Sequence, residues 1–207
     1  MKEIPEYEKD LASIRTLMER SVKFISLTGL SGVLAGIYAL AGAIIAYYLI
    51  YYPYAPYGLQ FYFLTEKMVV VKLLATAFAV LVLSLGTGCG LSLQKAKRLG
   101  VPIWNNASRQ LFLDLLIPLV TGGLFILILI SREFYIIVAP TCLVFYGLAL
   151  INGARNTYDE VKYLGLTEIV LGLASAMLPG YSLLFWATGF GIMHILYGAV
   201  MHYRYDR

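Results

Sequence analysis

Six long apolar runs constrain this chain more than any other feature of its sequence. A bilayer core about 30 Å thick needs roughly 20 apolar residues for each helical crossing. Runs of this kind lie at approximately 24–51, 67–93, 110–130, 134–152, 163–179 and 182–203. They are continuously apolar, whereas the strands of a membrane β-barrel alternate apolar and polar residues. The sequence therefore predicts an all-α polytopic membrane protein, a bundle of six transmembrane helices.

Composition and domain organisation agree with this class. Hydrophobic residues make up 60% of the 207 residues, which is above the roughly 45–50% of soluble domains. The transmembrane domain is predicted to occupy residues 24–203, leaving 1–23 before it and a tail at 204–207. The first run is too long for the apolar core of a cleaved signal peptide, so we expect it to remain as a spanning helix.

Basic residues cluster on one side of the predicted bundle. That side carries Lys2, Lys9, Arg15, Arg20, Lys23, Lys95, Lys97, Arg98, Arg109, Arg155, Lys162, Arg204 and Arg207. The opposite side carries only Lys67 and Arg132 between the predicted spans. Because basic loops stay in the cytoplasm, both termini are expected to be cytoplasmic, in a multi-pass protein of a bacterial inner membrane. The net charge of +4 then reflects topology, and no nucleic-acid binding is expected.

Residues 1–23 are predicted to form a short amphipathic helix on the cytoplasmic side. Apolar residues recur there at heptad spacing: Ile4, Tyr7, Leu11, Ile14 and Met18. Acidic and basic residues are equally numerous between them, whereas a segment that binds anionic lipid is more strongly basic. The apolar stripe is therefore expected to pack on the bundle, on a second copy of the chain, or on a protein partner.

Predicted helix one presents a narrow face of small residues. Its members follow steps of three and four: Gly29, Gly32, Gly36, Ala39 and Ala43. Small residues let helix backbones approach closely, and this close approach drives helix association in lipid. The face is predicted to be a helix-packing seam, either within the chain or between two copies.

Aromatic residues are concentrated in the segment 47–63, at the predicted outer boundary of the membrane. Tyrosine and tryptophan settle at the lipid–water interface, so an interfacial aromatic belt is the simpler interpretation. A ligand-binding aromatic rim around an outer mouth is the alternative.

Four ionisable residues lie inside the predicted spans: Lys72, Asp114, Glu168 and His194. An intramembrane ionisable residue is a candidate functional residue by default. Lys72 is near the outer end of helix two, where its side chain can reach the headgroups. Asp114 and Glu168 lie at a common level, roughly 8 Å inside the cytoplasmic boundary at 1.5 Å per residue.

Turn geometry predicts a partner for Glu168. It lies 12 residues before Gly180, in the turn between helices five and six, and His194 lies 14 residues after Gly180. In an antiparallel pair these offsets place both side chains at nearly the same depth, where they can share a proton. A purely structural contact that fixes helix register, proton or solute handling, and catalysis are all compatible with such a pair.

Function is less constrained than architecture. The sequence has none of the common hydrolase, metalloprotease or nucleotide-binding motifs, so the chain is predicted not to be an enzyme and to need no cofactor. Its two cysteines lack the spacing of a metal site. The leading hypothesis is a partner-binding, scaffold or regulatory membrane subunit, acting through residues 1–23 or the glycine face of helix one. The alternative is a proton-coupled transporter or channel for a small solute that uses Glu168, His194 and Asp114.

Overall fold

The fold is known from a computed structural model, which describes residues 28–51, 67–100, 102 and 104–206. All regular structure within these ranges is helical. The elements are α1 (Gly29–Tyr51), α2 (Lys67–Leu99), α3 (Asn106–Ser131), α4 (Val138–Gly153), α5 (Glu160–Met177), α6 (Ser182–Trp186), a π-helix (Ala187–Met193) and α7 (His194–Tyr205). The last three are continuous and form one "sixth helix". The prediction of an all-α helical bundle is confirmed.

Five of the six helices in the described ranges are long and apolar enough to cross a membrane. The exception is α5, whose 18 residues include the charged residues Glu160, Lys162 and Glu168. The described helices are therefore those of a multi-pass membrane protein. The predicted segment 1–23 and most of the tyrosine-rich segment 47–63 lie outside the described residues.

Several helices extend beyond the predicted apolar runs at one end, whereas α4 begins at Val138 rather than at 134 and α5 ends at Met177 rather than at 179. Helix α2 ends at Leu99 rather than at residue 93, α5 begins at Glu160 rather than at 163, and α7 continues to Tyr205 through part of the predicted tail. Helical hydrogen bonding does not stop where the apolar residues do, because polar residues also continue a helix once it is started. At the start of α3, a capping box between Asn105 and Ser108 sets the helix terminus earlier than the predicted residue 110.

The bundle has two ends and a simple packing order. The starts of α1, α3 and α5 lie at the "Asp206 end", and the turn at Pro179–Tyr181 marks the "Pro179 end". Across the bundle the order is α2, α1, the sixth helix, α5, α4 and α3. The outermost helices α2 and α3 leave most of their apolar side chains exposed, as helices facing lipid do.

Close glycine contacts hold the central helices together. A Cβ added at Gly36 would lie 2.5 Å from the backbone oxygen of Gly191 in the sixth helix. Helices α4 and α5 meet in the same way, since a Cβ at Gly147 would lie 2.5 Å from the backbone oxygen of Gly165. The small-residue face of α1 thus forms a seam within the chain. Its members Gly29, Ala39 and Ala43 are buried as well.

Candidate functional site

Glu168 and His194 lie side by side in the centre of the bundle. Glu168, on α5, is completely buried, and His194, the first residue of α7, is 6% exposed. The Nδ1 atom of His194 is 3.5 Å from Oε1 of Glu168. Gly189 makes room for the carboxylate, because a Cβ at this position would overlap Oε2 of Glu168. The structure therefore brings together the two residues that turn geometry places at one depth.

Hydrogen bonds define the state of the His194 ring. Its Nε2 atom is 2.7 Å from the hydroxyl oxygen of Tyr146, and its Nδ1 atom is 3.0 Å from the backbone oxygen of Gly189. A carbonyl oxygen only accepts, so this geometry assigns the proton to Nδ1. Nε2 then accepts a hydrogen bond from Tyr146. The Nδ1–H is directed toward Gly189 and, at a longer distance, toward Glu168.

The carboxyl group of Glu168 has no hydrogen-bond partner among the described residues. This holds for both oxygens, Oε1 and Oε2. An ionised carboxylate that is buried without donors is very unfavourable. A carboxyl that only fixes helix register would be expected to bond to a histidine or a hydroxyl group, as interhelical polar contacts in membranes do. Glu168 makes no such bond in this arrangement, although it has a donor 3.5 Å away.

The wider turn of the π-helix faces this site. Residues Ala187–Met193 contain the two glycines that contact neighbouring helices, Gly189 and Gly191. π-helical turns are rare and occur frequently at functional sites. Within this segment the ring of Phe190 stacks on His194 at 5.9 Å and lies 5.0 Å from the ring of Tyr146.

Asp114 and Lys72 lie apart from the Glu168–His194 pair. The Asn156 side chain donates a hydrogen bond of 2.6 Å to Oδ2 of Asp114, and the Asn152 side chain donates one of 2.8 Å to its backbone oxygen. These bonds tie α3 to the end of α4. Lys72 is exposed. The structure therefore gives Asp114 a helix-pairing contact and leaves Lys72 on the surface of α2.

An apolar cavity of about 180 Å³ lies at the Pro179 end, between α1, α2, the start of α4 and the sixth helix. Its walls include Cys142, Trp186 and the hydroxyl-bearing residues Thr76 and Ser182. It is smaller than the ~300–1,000 Å³ of pockets for drug-sized ligands. Neither Glu168 nor His194 lines it. The ring of Trp186, however, lies 5.1 Å from Phe190, so aromatic rings connect the cavity wall to the histidine.

A polar cluster joins four helices at the Asp206 end. Asp206 accepts hydrogen bonds of 2.7 Å from the Lys95 side chain of α2 and from the Gly29 backbone N–H at the start of α1. The carboxylate of Glu160 on α5 accepts from Arg204 at 2.5 Å and from Tyr205 at 2.9 Å. The sequence identifies Lys95 and Arg204 only as topology signals, because it does not show which helix ends lie together.

Burial and hydrogen bonding act in opposite directions on Asp206. Burial raises the pKa of this carboxyl, but the hydrogen bonds from Lys95 and from the Gly29 N–H lower it by more. The net result is a pKa below its ordinary value of 3.8. Asp206 is therefore an anion at neutral pH, and it lies at the positively polarised N-terminus of α1.

Comparison with protein-family models, with curated proteins and with solved structures gave no significant match.

Proposed function

We propose that this protein is a proton-coupled carrier of a small solute, in which Glu168 binds and releases the proton. The observation that carries this proposal is the burial of a carboxyl group without a hydrogen-bond donor, 3.5 Å from Nδ1 of His194. Membrane-embedded carboxylates next to histidines commonly serve as proton relays in pumps and transporters. A purely structural role is less well supported, because such a role depends on a bond that is not made.

The position of His194 offers a way to couple proton release to a change of shape. When Glu168 carries the proton, the Nδ1–H of His194 bonds to the backbone oxygen of Gly189. When the proton leaves, the negative charge attracts the same N–H, and a shift of ~0.5 Å brings the two atoms within hydrogen-bond distance. The Gly189 oxygen then loses its hydrogen bond from the histidine ring. Release of the proton thereby alters the π-helix, which packs on α1 through Gly191.

The cavity at the Pro179 end is the proposed place of the solute. Its volume and apolar walls suit a small molecule with few charges. Its wall residue Trp186 belongs to the sixth helix, next to the π-helix. A movement of the sixth helix that follows the charge of Glu168 would therefore change the shape of this cavity.

We also propose an orientation. Among the described residues, most of the basic ones lie at the Asp206 end, which is expected to face the cytoplasm of a bacterial cell. The exposed rings of Tyr47, Tyr48, Phe134 and Tyr181 at the opposite end fit an interfacial aromatic belt.

A scaffold or regulatory subunit is the second hypothesis. In this hypothesis the chain acts through residues 1–23 or through the glycine face of α1. The former lie outside the described residues, and the latter is covered by the sixth helix within the chain. The carrier hypothesis therefore ranks first, since the described part of the chain offers a specific site for it.

Infrared spectroscopy tests whether Glu168 exchanges a proton. The protein is reconstituted in lipid and titrated, and the C=O stretch of protonated carboxyl groups is followed. We expect a band that is present at low pH and lost as the pH rises, and that is missing in Glu168→Gln. Asp114→Asn is the matched control, because it removes a second intramembrane carboxyl but keeps an acceptor for Asn156, and the Glu168 band should persist in it. A titration unchanged by Glu168→Gln would contradict the proposal.

A further inference from the structure

The interface between α5 and the sixth helix contains a series of buried polar atoms without hydrogen-bond partners. Among the described residues they are both carboxyl oxygens of Glu168, Oε2 of Glu160, the hydroxyl of Tyr197 and the hydroxyl of Ser175. All of these residues belong to α5 or to the sixth helix. Buried polar groups are nearly always paired, so a group of exceptions in one interface requires an explanation.

Two of these groups lie between Glu168 and the Asp206 end. Glu160 precedes Glu168 by eight residues of α5, which corresponds to about 12 Å along the helix. Tyr197 follows His194 by three residues of α7, or about 4.5 Å toward the same end. The backbone of Tyr197 is therefore at an intermediate depth, between those of His194 and Glu160.

Shared packing connects these groups. Tyr197 packs on the hydrophobic cluster that includes Val161, the residue that follows Glu160 in α5. Tyr146 and Tyr197 also pack on one hydrophobic cluster around Leu150 and Leu164. Tyr146 and His194 are joined by a direct hydrogen bond of 2.7 Å.

The opposite direction is closed by a leucine. Leu143 is completely buried, and it packs where added Cβ atoms at Gly172 and Gly189 would touch it. It lies between Glu168 and the Pro179 end, where Ser175 has the next unpaired hydroxyl. Among the described residues, unpaired polar groups follow one another on the Asp206 side as far as Glu160, whose side chain is 16% exposed.

We propose that protons reach Glu168 from the Asp206 end, by a route that runs through Glu160, Tyr197, Tyr146 and His194. This inference rests on the proposed function and adds the side and the residues of proton entry. Water molecules bound to the unpaired atoms would complete the route, since an internal water needs two to four polar partners.

Each group on the route gains one proton and loses one. The carboxylate of Glu160 takes a proton from water and passes it to the Tyr197 hydroxyl, which passes its own proton on toward Tyr146. Tyr146 gives its hydroxyl proton to Nε2 of His194, and the Nδ1 proton of His194 moves to Oε1 of Glu168. His194 is left with its proton on Nε2. It regains the Nδ1–H form that bonds to Gly189 by giving up the Nε2 proton and taking one from water at Nδ1, and the net change is one proton bound to Glu168.

The rate of proton uptake by Glu168 tests this route. The reconstituted protein is subjected to a rapid drop in pH, and the infrared band that is missing in Glu168→Gln is followed in time. In Tyr197→Phe we expect the band to reach its full size, but slower by roughly tenfold or more, because one proton-transferring group is removed. Glu160→Gln should slow uptake as well and provides a second variant. The matched control is Tyr163→Phe, which removes a hydroxyl from a residue of α5 that is 69% exposed, and it should keep the wild-type rate.

The outcomes separate the two proposals. Wild-type rates in both Tyr197→Phe and Glu160→Gln, with the band intact, would overturn the route and leave Glu168 as the proton-binding group. A wild-type band that does not depend on Glu168 would overturn the proposed function, and the route with it.

Discussion

At the residue scale, one N–H group of His194 faces two acceptors. It bonds to the backbone oxygen of Gly189 at 3.0 Å and has Oε1 of Glu168 within 3.5 Å. Tyr146 holds the ring in this orientation by donating to Nε2. The Gly189 carbonyl sets the proton on Nδ1, because it can only accept, and Tyr146 holds the ring from its other nitrogen. This makes Tyr146 a positioning residue for the candidate site.

Replacing Tyr146 by phenylalanine tests that role. Tyr146→Phe removes the donor to Nε2 and should lower the free energy of unfolding by about 1 kcal/mol. Nitrogen NMR of the His194 side chain should show a protonated Nδ1 and an unprotonated, hydrogen-bonded Nε2 in the wild type, and loss of the hydrogen-bonded Nε2 signal in the variant. His202 is the one other histidine and serves as the internal reference. A wild-type His194 protonated at Nε2 alone would contradict the assignment.

At the element scale, the sequence predicts the helices and their depths, but not which sides of them meet. Counting residues from the turn at Gly180 places Glu168 and His194 at one level, because each helical residue adds about 1.5 Å. The direction of a side chain changes by about 100° per residue, so one extra residue in a turn redirects everything after it. The π-helix Ala187–Met193 introduces such a change, and no sequence signal identifies it.

The sequence likewise does not show which side chains near helix four meet Asp114. The side chain of Asn152 bonds to the backbone oxygen of Asp114. Asn156, the second partner of Asp114, lies beyond the predicted end of helix four at residue 152. The sequence therefore does not predict that Asn156 contributes to the contact between α3 and the end of α4.

Alanine substitutions at different glycines should destabilise the protein by different amounts, depending on how closely a neighbouring helix approaches. Gly36→Ala should destabilise the protein by about 1–3 kcal/mol, because its Cβ would lie 2.5 Å from the Gly191 oxygen. Gly32→Ala should cost less, since its nearest neighbour is 3.1 Å away. Gly123→Ala is the control, because nothing lies within 4 Å of a Cβ there.

Unfolding in detergent micelles measures this series. Equal effects of Gly36→Ala and Gly123→Ala would show that the seam within the chain does not stabilise the fold. Loss of a dimer without loss of stability in Gly36→Ala would assign the glycine face to an interface between copies.

At the scale of the whole molecule, the two ends of the bundle differ. The Asp206 end is tied by polar contacts between α1, α2, α5 and α7, whereas the Pro179 end contains a cavity. A carrier that opens alternately to its two sides must break the contacts at the closed end. The polar cluster around Asp206 is therefore the part of the bundle that opening toward this end would disrupt.

Asp206→Asn tests the contribution of this cluster. Loss of the charge weakens the bonds from Lys95 and Gly29, and the free energy of unfolding at neutral pH should fall by about 1–2 kcal/mol. The pKa of Asp206 is lower in the folded protein than its ordinary value of 3.8. Its stabilisation is therefore complete above that pH and is lost as the pH falls through the folded-state value.

The pH dependence of unfolding measures this effect. The stability difference between wild type and Asp206→Asn should be constant near neutral pH and should shrink below about pH 4. Glu133→Gln, at an exposed position, is the control and should follow the wild type. A difference that grows on acidification would contradict the sign of the shift.

Proton movement into vesicles is the most direct test of the central claim. Purified wild-type protein, Glu168→Gln and Asp114→Asn are reconstituted at equal amounts, and internal pH is followed after a pH gradient is imposed. The account predicts proton flux for the wild type and for Asp114→Asn, and none above empty vesicles for Glu168→Gln. Equal flux in wild type and Glu168→Gln, or no flux in any folded sample, would contradict the assignment of Glu168 as the proton-binding group of a carrier.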